Sequence, residues 1–92
     1  MIIGTVRDNP ERKRFELEAD GYTGYLYYRL APGMITLVHT EVPPALGGRG
    51  VGSALVRGAL EAIRPKGLKV VATCSFVAAY MGKHPEFNDL VA

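Results

Sequence analysis

Apolar and polar residues alternate through the first half of the chain, and a period of two is typical of β-strands. In Arg14–Ala19 the apolar residues fall on one face and the charged residues on the other. Tyr22–Leu30 and Met34–Val42 continue the pattern and are rich in the aromatic and β-branched residues that strands favour. Asp20-Gly21 and Ala31-Pro32-Gly33 supply the turns between them. The pattern predicts three strands joined as an antiparallel meander.

The second half of the chain changes to a period near 3.6, which is typical of an amphipathic helix. Pro43-Pro44 ends the meander, because proline cannot donate to a strand ladder, and the helical pattern runs from about Gly50 to Arg64. Leu68–Thr73 is then a short, almost continuous apolar run, which predicts an interior strand parallel to Met34–Val42. A strand, a helix and a parallel strand in this order form a right-handed βαβ unit.

The two ends of the chain carry weaker signals. Ser75 is expected to cap a second helix that runs to about Lys83 and is stopped by His84-Pro85. The tail, Glu86–Ala92, has enough apolar surface to fold back on the body, and Met1–Arg12 is expected to be a short strand or lead-in. The sequence thus predicts a single α/β (α+β) domain over residues 1–92, in which an antiparallel meander is followed by a βαβ unit and a C-terminal helix.

Composition narrows the class of protein. The 92 residues are 48% apolar and 22% charged, with a net charge of +2, which is ordinary for a soluble globular domain and excludes a polybasic arm. Basic residues are scattered among acids, so nucleic-acid binding is not expected. The single cysteine cannot form an internal disulfide, and no segment approaches the roughly 20 apolar residues of a membrane helix. We therefore expect a cytoplasmic protein that does not bind membranes.

The most distinctive stretch is rich in glycine and lies directly before the predicted helix. Gly47–Ser53 contains four glycines around Arg49, and the first amides of a helix have no partner within it and attract anions. The stretch lacks the Gly-Lys-Ser/Thr ending of a nucleotide P-loop, and no second βαβ half follows that would carry a dinucleotide. The residues alone indicate a phosphate cradle and do not identify its ligand.

The order of these elements resembles the GNAT superfamily of acetyl-coenzyme A-dependent N-acetyltransferases. The superfamily's signature is Arg or Gln, two residues, Gly, one residue, then Gly or Ala. It corresponds here to Gly47 through Gly52, with Gly47 in place of the usual Arg or Gln. The resemblance is closest to the small single-domain branch of the superfamily, whose four further motifs are all present: Arg14-Phe15-Glu16-Leu17, His39-Thr40-Glu41-Val42-Pro43, Cys74-Ser75-Phe76-Val77 and His84-Pro85-Glu86.

This resemblance implies a site for acetyl-coenzyme A (acetyl-CoA). Its pantetheine arm would pair like an extra strand with the backbone around Thr40 and Val42, where the third and last strands would splay apart. The thioester would then lie near Cys74 and Tyr80. The pyrophosphate would be held by the turn and the first amides of the helix, which are Gly48, Arg49, Gly50, Val51, Gly52 and Ser53.

Cys74 has two interpretations. It is either a small buried hydrophobic residue or a nucleophile whose pKa is lowered by the helix that starts just after it. As a thiolate it would take the acetyl group in a ping-pong scheme. In the competing scheme an amine attacks acetyl-CoA directly, with a base to deprotonate it and an acid for the leaving thiolate.

Other residues are candidates for acid–base chemistry or ligand binding, and each has a structural alternative. His39 and Glu41 lie two apart on one strand and share a face, so either is a candidate base, and the alternatives are a core histidine and a surface ion pair. Tyr80 resembles the tyrosine that many GNAT enzymes place on the last helix to protonate the leaving thiolate, or it packs in the core. Arg49 is expected to steer phosphate, with a structural ion pair as the alternative, because it lies between glycines and has little else to touch.

The sequence therefore predicts an N-acetyltransferase that transfers an acetyl group from acetyl-CoA to an amine, either a small molecule or an exposed amine on a protein. One alternative is a protein that binds CoA or acyl-CoA without transferase activity. A second is a nucleic-acid or protein interaction module that uses the tyrosines of Tyr22–Tyr28 as a stacking surface. No spacing of His or Cys suggests a metal site, because His84 and Glu86 are expected to be a helix stop.

Overall fold

The computed structural model describes residues 2–92. Each strand and helix predicted after residue 13 is present, and its ends lie within one residue of the prediction. Three short 3-10 turns lie at Pro44–Leu46, Arg64–Lys66 and Pro85–Leu90. The strands and helices are β1 (Arg7–Asn9), β2 (Arg14–Ala19), β3 (Tyr22–Ala31), β4 (Met34–Glu41), α1 (Val51–Ile63), β5 (Lys69–Ala72) and α2 (Ser75–Lys83).

The strands form one sheet in sequence order, β1-β2-β3-β4-β5. The first four are antiparallel neighbours and β5 is parallel to β4, so the meander and the βαβ unit are confirmed. The predicted lead-in contributes β1 and a bridge from Ile3 to Ala19. The short N-terminal segment therefore extends the sheet on the β2 side.

The prediction that Leu68–Thr73 would form an interior strand is wrong, because β5 lies at the edge of the sheet. Its apolar side chains are covered by other means. Val70 is buried, and the C-terminal Val91 forms a single parallel bridge with it on the side away from β4. Val71 and Ala72 are only partly buried, so the apolar run does not require a second strand neighbour.

One apolar core lies between the sheet and α1. The inward face of the sheet supplies buried residues such as Phe15, Leu26 and Leu37. The side of α1 that faces the sheet carries Val51, Leu55, Val56, Ala59, Leu60 and Ile63, all buried. This is the 3.6-residue stripe that the sequence predicts, and it fixes the direction in which α1 leaves the Gly-rich turn. None of the described helices has the length and hydropathy needed to cross a bilayer.

The N-cap of the second helix lies one residue earlier than predicted. Ser75 is already the first helical residue, and Cys74 takes the N-cap position with extended backbone angles of −76° and 123°. The first bond of the helix runs from the Ala78 amide to the Cys74 carbonyl. The prediction that Ser75 caps α2 is therefore wrong, and the cysteine, not the serine, lies at the exposed amides of the first turn.

The tail folds back on the body, as predicted. The 3-10 turn Pro85–Leu90 buries Phe87 and Leu90, and the Ala92 amide donates to the Val70 carbonyl at 3.0 Å. The tail thereby holds α2 against the edge of the sheet.

Candidate functional site

The strands β4 and β5 separate halfway along β4. Their pairing ends at Leu37 and Ala72, and the amides of Thr73 and Cys74 both donate to the Leu37 carbonyl at 3.1 Å. Beyond this point β4 continues to Glu41 beside β3, with no described strand on its other side. The predicted splay is confirmed, and it leaves a stretch of β4 with an open backbone edge.

A β-bulge lies at the point of separation. Leu37 is opposite Tyr28 and His39 is opposite Tyr27, so Val38 has no cross-strand partner. Bulges bend a strand and re-aim the side chains that follow. Nothing in the sequence marks Val38 as the extra residue.

The Cys74 thiol faces this gap. Its sulfur lies 3.3 Å from the Thr40 hydroxyl on β4. Burial alone would raise the pKa of the thiol, but the Thr40 hydroxyl and the nearby Val77 and Phe76 amides stabilise the charged sulfur, so the pKa is lowered. Neither amide reaches the standard geometry of a capping hydrogen bond, and both still favour the charged sulfur. Cys74 is half-buried and also packs against the core, so both interpretations of this residue stay open.

A groove of about 380 Å³ surrounds the thiol. We call it the thiol groove. It brings together three parts of the chain that are distant in sequence: the open end of β4, the first turn of α1 and the first turn of α2. The lining residues are His39, Thr40, Val42, Gly52, Cys74, Ser75 and Phe76.

Phe76 is a groove residue that the sequence analysis did not single out. Its ring lies directly over Gly52, where a methyl group would be 3.0 Å from Cζ, and it is 44% exposed. The close approach explains why a glycine is suited to this point of α1. The available signal was an aromatic residue two positions after the cysteine, but its contact with Gly52 depends on how the two helices pack.

The Gly-rich turn presents open backbone directly before α1. Gly48 and Gly50 have left-handed φ angles of 73° and 76°, and a methyl group at either would meet nothing within 4 Å. Gly50 is the N-cap of α1, and the first bond of the helix runs from the Ala54 amide to the Gly50 carbonyl. The amides of Val51, Gly52 and Ser53 precede that bond and lie at the positive end of the helix dipole.

Arg49 lies in the same turn and has a partner. Its guanidinium pairs with the Asp20 carboxylate of the β2–β3 turn at 2.9 Å, and both side chains are partly exposed. The expectation that Arg49 has little else to touch is therefore wrong. The reason is tertiary, since the hairpin turn that presents Asp20 lies far from Arg49 in the sequence. A role for Arg49 in phosphate binding stays a prediction.

His39 and Glu41 share a face, as predicted, but that face is not the one that carries Cys74. They pair across the sheet with Tyr27 and Tyr25, on the side of the sheet opposite the helices. His39 Nε2 lies 3.3 Å from Glu41 Oε1, and both side chains are exposed. Neither is a core residue. His39 also lines the thiol groove, whereas Glu41 does not.

Tyr80 is buried and does not line the thiol groove. Its ring stacks on His84 with centroids 3.9 Å apart and lies near Phe87, and the Arg57 guanidinium lies 5.9 Å from its centroid. Arg57 in turn pairs with Glu86 at 2.8 Å. The structure favours the packing alternative for Tyr80 and gives the His-Pro-Glu motif a local role, because its residues tie the tail to α1.

The described residues contain no group of three or more His, Cys, Asp or Glu side chains arranged to hold a metal ion.

Known proteins share both the sequence pattern and the fold. A family model described as GCN5-related N-acetyl-transferase matches residues 14–90. Protein NATD1 of Mus musculus is 30% identical over 83 residues, which covers 87% of this chain and 76% of NATD1. NATD1 of Homo sapiens is also 30% identical over 83 residues, covering 87% and 74%. The solution NMR structure of a GCN5-like protein from Staphylococcus aureus has a TM-score of 0.73 at 28% identity, covering 95% of this chain and 86% of that one. The chain therefore belongs to the family of GCN5-related N-acetyltransferases.

Proposed function

We propose that this protein is an N-acetyltransferase that takes an acetyl group from acetyl-CoA and transfers it to an amine. One observation supports the proposal above the others: the gap between β4 and β5 opens into a groove that contains the Cys74 thiol and the first turns of both helices. An open strand edge can pair with an extended amide-containing arm, and a helix N-terminus can hold a pyrophosphate. A thiol between them lies where an acyl group would be delivered.

The residues of the Gly-rich turn fit the CoA moiety. In the proposal the amides of Val51, Gly52 and Ser53 bind the pyrophosphate, and the open spaces beside Gly48 and Gly50 let it approach the backbone. The open edge of β4 around Thr40 and Val42 pairs with the pantetheine amides. When bound, acetyl-CoA supplies an acetyl group activated as a thioester.

Cys74 is the proposed nucleophile. Its sulfur forms a bond to the acetyl carbonyl carbon while the bond from that carbon to the CoA sulfur breaks, and CoA leaves as a thiolate that solvent protonates. The acceptor amine then attacks the same carbon and loses a proton to His39, and Cys74 leaves as the thiolate. His39 is the candidate base because it lines the thiol groove, and its Nε2 lies 3.3 Å from Glu41 Oε1.

The experiment is to incubate the protein with acetyl-CoA carrying a labelled acetyl group and to weigh the intact chain. We expect one labelled acetyl group, located by peptide mapping on Cys74 and absent in Cys74→Ala. Discharge by an amine at a rate compatible with turnover completes the test. Transfer to an amine that survives in Cys74→Ala would replace the ping-pong scheme by direct attack.

Binding of CoA is measured separately by thermal shift, because a ligand that binds only the folded state raises its stability. Stabilisation by CoA with no transfer to any amine would identify a CoA-binding protein without transferase activity. No stabilisation at saturating CoA would reject both forms of the proposal.

A further inference from the structure

Asp20 links the start of the chain to the Gly-rich turn. It lies in the tight turn between β2 and β3, and its backbone amide donates to the Ile2 carbonyl at 3.3 Å. One carboxylate oxygen, Oδ1, accepts a hydrogen bond from the Ile2 amide at 3.4 Å. The other, Oδ2, lies 2.9 Å from Arg49 Nη1. The carboxylate is therefore held by backbone on one side and by the arginine on the other.

Arg49 is the partner that can move. Its backbone lies between Gly48 and Gly50, which have no side chains and open surroundings, and its side chain is 50% exposed. Asp20, in contrast, has a left-handed φ of 48° in a two-residue hairpin turn, and the strand pairing on both sides fixes that turn. A rearrangement of this ion pair would therefore move the guanidinium and leave the carboxylate in place.

The Asp20 carboxylate opposes the binding of an anion at the turn. In the proposed function the CoA pyrophosphate binds at the amides that start α1, and these follow Arg49 closely in the chain. A guanidinium binds a phosphate through its charge and its N–H donors, and it uses the same donors to bind a carboxylate. Asp20 and a phosphate group therefore compete for Arg49, and Asp20 also adds a negative charge near the ligand.

We infer that Asp20 is a competitive restraint on the cofactor site: its carboxylate holds Arg49 in the free protein and releases it when the CoA phosphates bind. This inference rests on the proposed function, because it concerns the same turn. Asp20 acts through Arg49 and is thus a positioning residue. Exposed ion pairs are weak, so the phosphates can displace the carboxylate, and the result of the competition is a lower affinity for CoA.

The test is a calorimetric titration of the full chain with CoA. Asp20→Asn removes the charge and keeps a residue that tolerates a left-handed φ, so the hairpin turn is retained. We expect this variant to bind CoA about threefold more tightly than the unmodified chain, which is the gain that the release of one exposed ion pair gives.

A double-mutant cycle shows whether the gain passes through Arg49. Arg49→Gln should weaken CoA binding, and adding Asp20→Asn to it should change the affinity no further, because no guanidinium is left to release. Glu18→Gln is the matched control. It removes the same charge from the same hairpin, but Glu18 pairs with Arg7 at 2.9 Å, so this variant should bind CoA as the unmodified chain does.

The NMR signal of the Arg49 Nε–H group follows the guanidinium directly. It should move when CoA is added to the unmodified chain, and it should already be displaced in Asp20→Asn without ligand. The amide spectrum of each variant shows whether it is folded.

Equal or weaker binding of CoA by Asp20→Asn would overturn the inference. So would a gain of the same size in the Arg49→Gln background or in Glu18→Gln, because net charge alone would then explain it. If the chain binds CoA and transfers acetyl groups but the cycle shows no coupling, the inference fails and the proposed function stands. If the coupling is found and no amine is acetylated, the transferase activity fails alone. No binding of CoA to the unmodified chain would reject both.

Discussion

The Thr40 hydroxyl lies 3.3 Å from the Cys74 sulfur, across the gap between the open end of β4 and the start of α2. This contact lowers the pKa of the thiol. Thr40→Val keeps the shape of the side chain and removes the hydroxyl, so we expect the pKa of Cys74 to rise. The pH midpoint of alkylation by iodoacetamide should move upward, and the rate at neutral pH should fall severalfold.

Thr36→Val is the control for this measurement. Thr36 lies on the same strand but is paired with Arg29 and Val71, away from the gap. An unchanged alkylation profile in Thr40→Val would show that the two helix amides alone set the reactivity of Cys74.

Gly50→Ala tests the cradle. A left-handed φ of 76° disfavours a side chain, so we expect a loss of roughly 1–2 kcal/mol in the free energy of unfolding. Gly67→Ala is a matched variant, because Gly67 has a φ of 70° and equally open surroundings but lies after α1. Both should be destabilised to a similar extent, and only Gly50→Ala should also weaken CoA binding, as measured by titration calorimetry. Equal affinities would count against the turn as the pyrophosphate site.

Gly58→Ala tests the packing of the N-terminal segment on α1. A methyl group at Gly58 would lie 2.3 Å from Val6 Cγ2 and 2.7 Å from Val6 Cβ, which the structure cannot accept without movement. We expect a loss of about 1–3 kcal/mol in the free energy of unfolding, measured by urea denaturation. Combining it with Val6→Ala should recover part of the loss, and strictly additive effects would show that the two residues do not meet.

The ion pair between Arg57 and Glu86 should make stability depend on pH. Arg57 lowers the pKa of Glu86 in the folded protein. The stabilisation is therefore present above the ordinary glutamate pKa of about 4.3 and is lost as the pH falls through the lower folded value. Glu86→Gln should lower the urea midpoint at pH 6 and have a smaller effect at pH 3. Glu61→Gln is the control, and its effect on the urea midpoint should be the same at pH 6 and pH 3. An effect of Glu86→Gln that does not change with pH would contradict a stabilising ion pair between Arg57 and Glu86.

Tyr80→Phe separates packing from acid catalysis. Because the ring lies against His84 and Phe87 and does not line the thiol groove, we expect kcat within about twofold of that of the unmodified protein. Tyr80→Ala should instead lower the free energy of unfolding by about 3–5 kcal/mol, since a large buried ring is removed. A fall in kcat of a hundredfold in Tyr80→Phe, with stability unchanged, would restore the tyrosine as the general acid.

The sequence predicts the elements well because their signals are local. The alternation in Arg14–Ala19 and the 3.6-residue stripe of α1 each arise from contact with one core, and both are found as expected. The position of β5 in the sheet is different. The apolar run of β5 indicates only that the strand is partly buried. Burial against a helix and the tail gives the same sequence pattern as burial beside a neighbouring strand.

The sequence predicts which residues belong to the candidate site, but it does not predict which other residues they contact. The sequence predicts that Cys74 lies just before a helix, and the structure brings Cys74 and Thr40 together. The pairing of Arg49 with Asp20 and of Phe76 with Gly52 depends on which turns and helices meet, and no local pattern encodes that. Likewise, His39 and Glu41 share a face as predicted, but which face it is depends on the register of β4.

That register depends on the bulge at Val38. Leu37 points into the core, and uninterrupted alternation would send His39 and Glu41 toward the helices and Thr40 to the solvent. The unpaired residue reverses this order, so that a hydroxyl meets the thiol and an imidazole and a carboxylate face outward. One unpaired residue thus sets which side chains face the thiol: regular pairing of Val38 would exchange the two faces, whereas deletion of Val38 would leave each of these side chains on its present face.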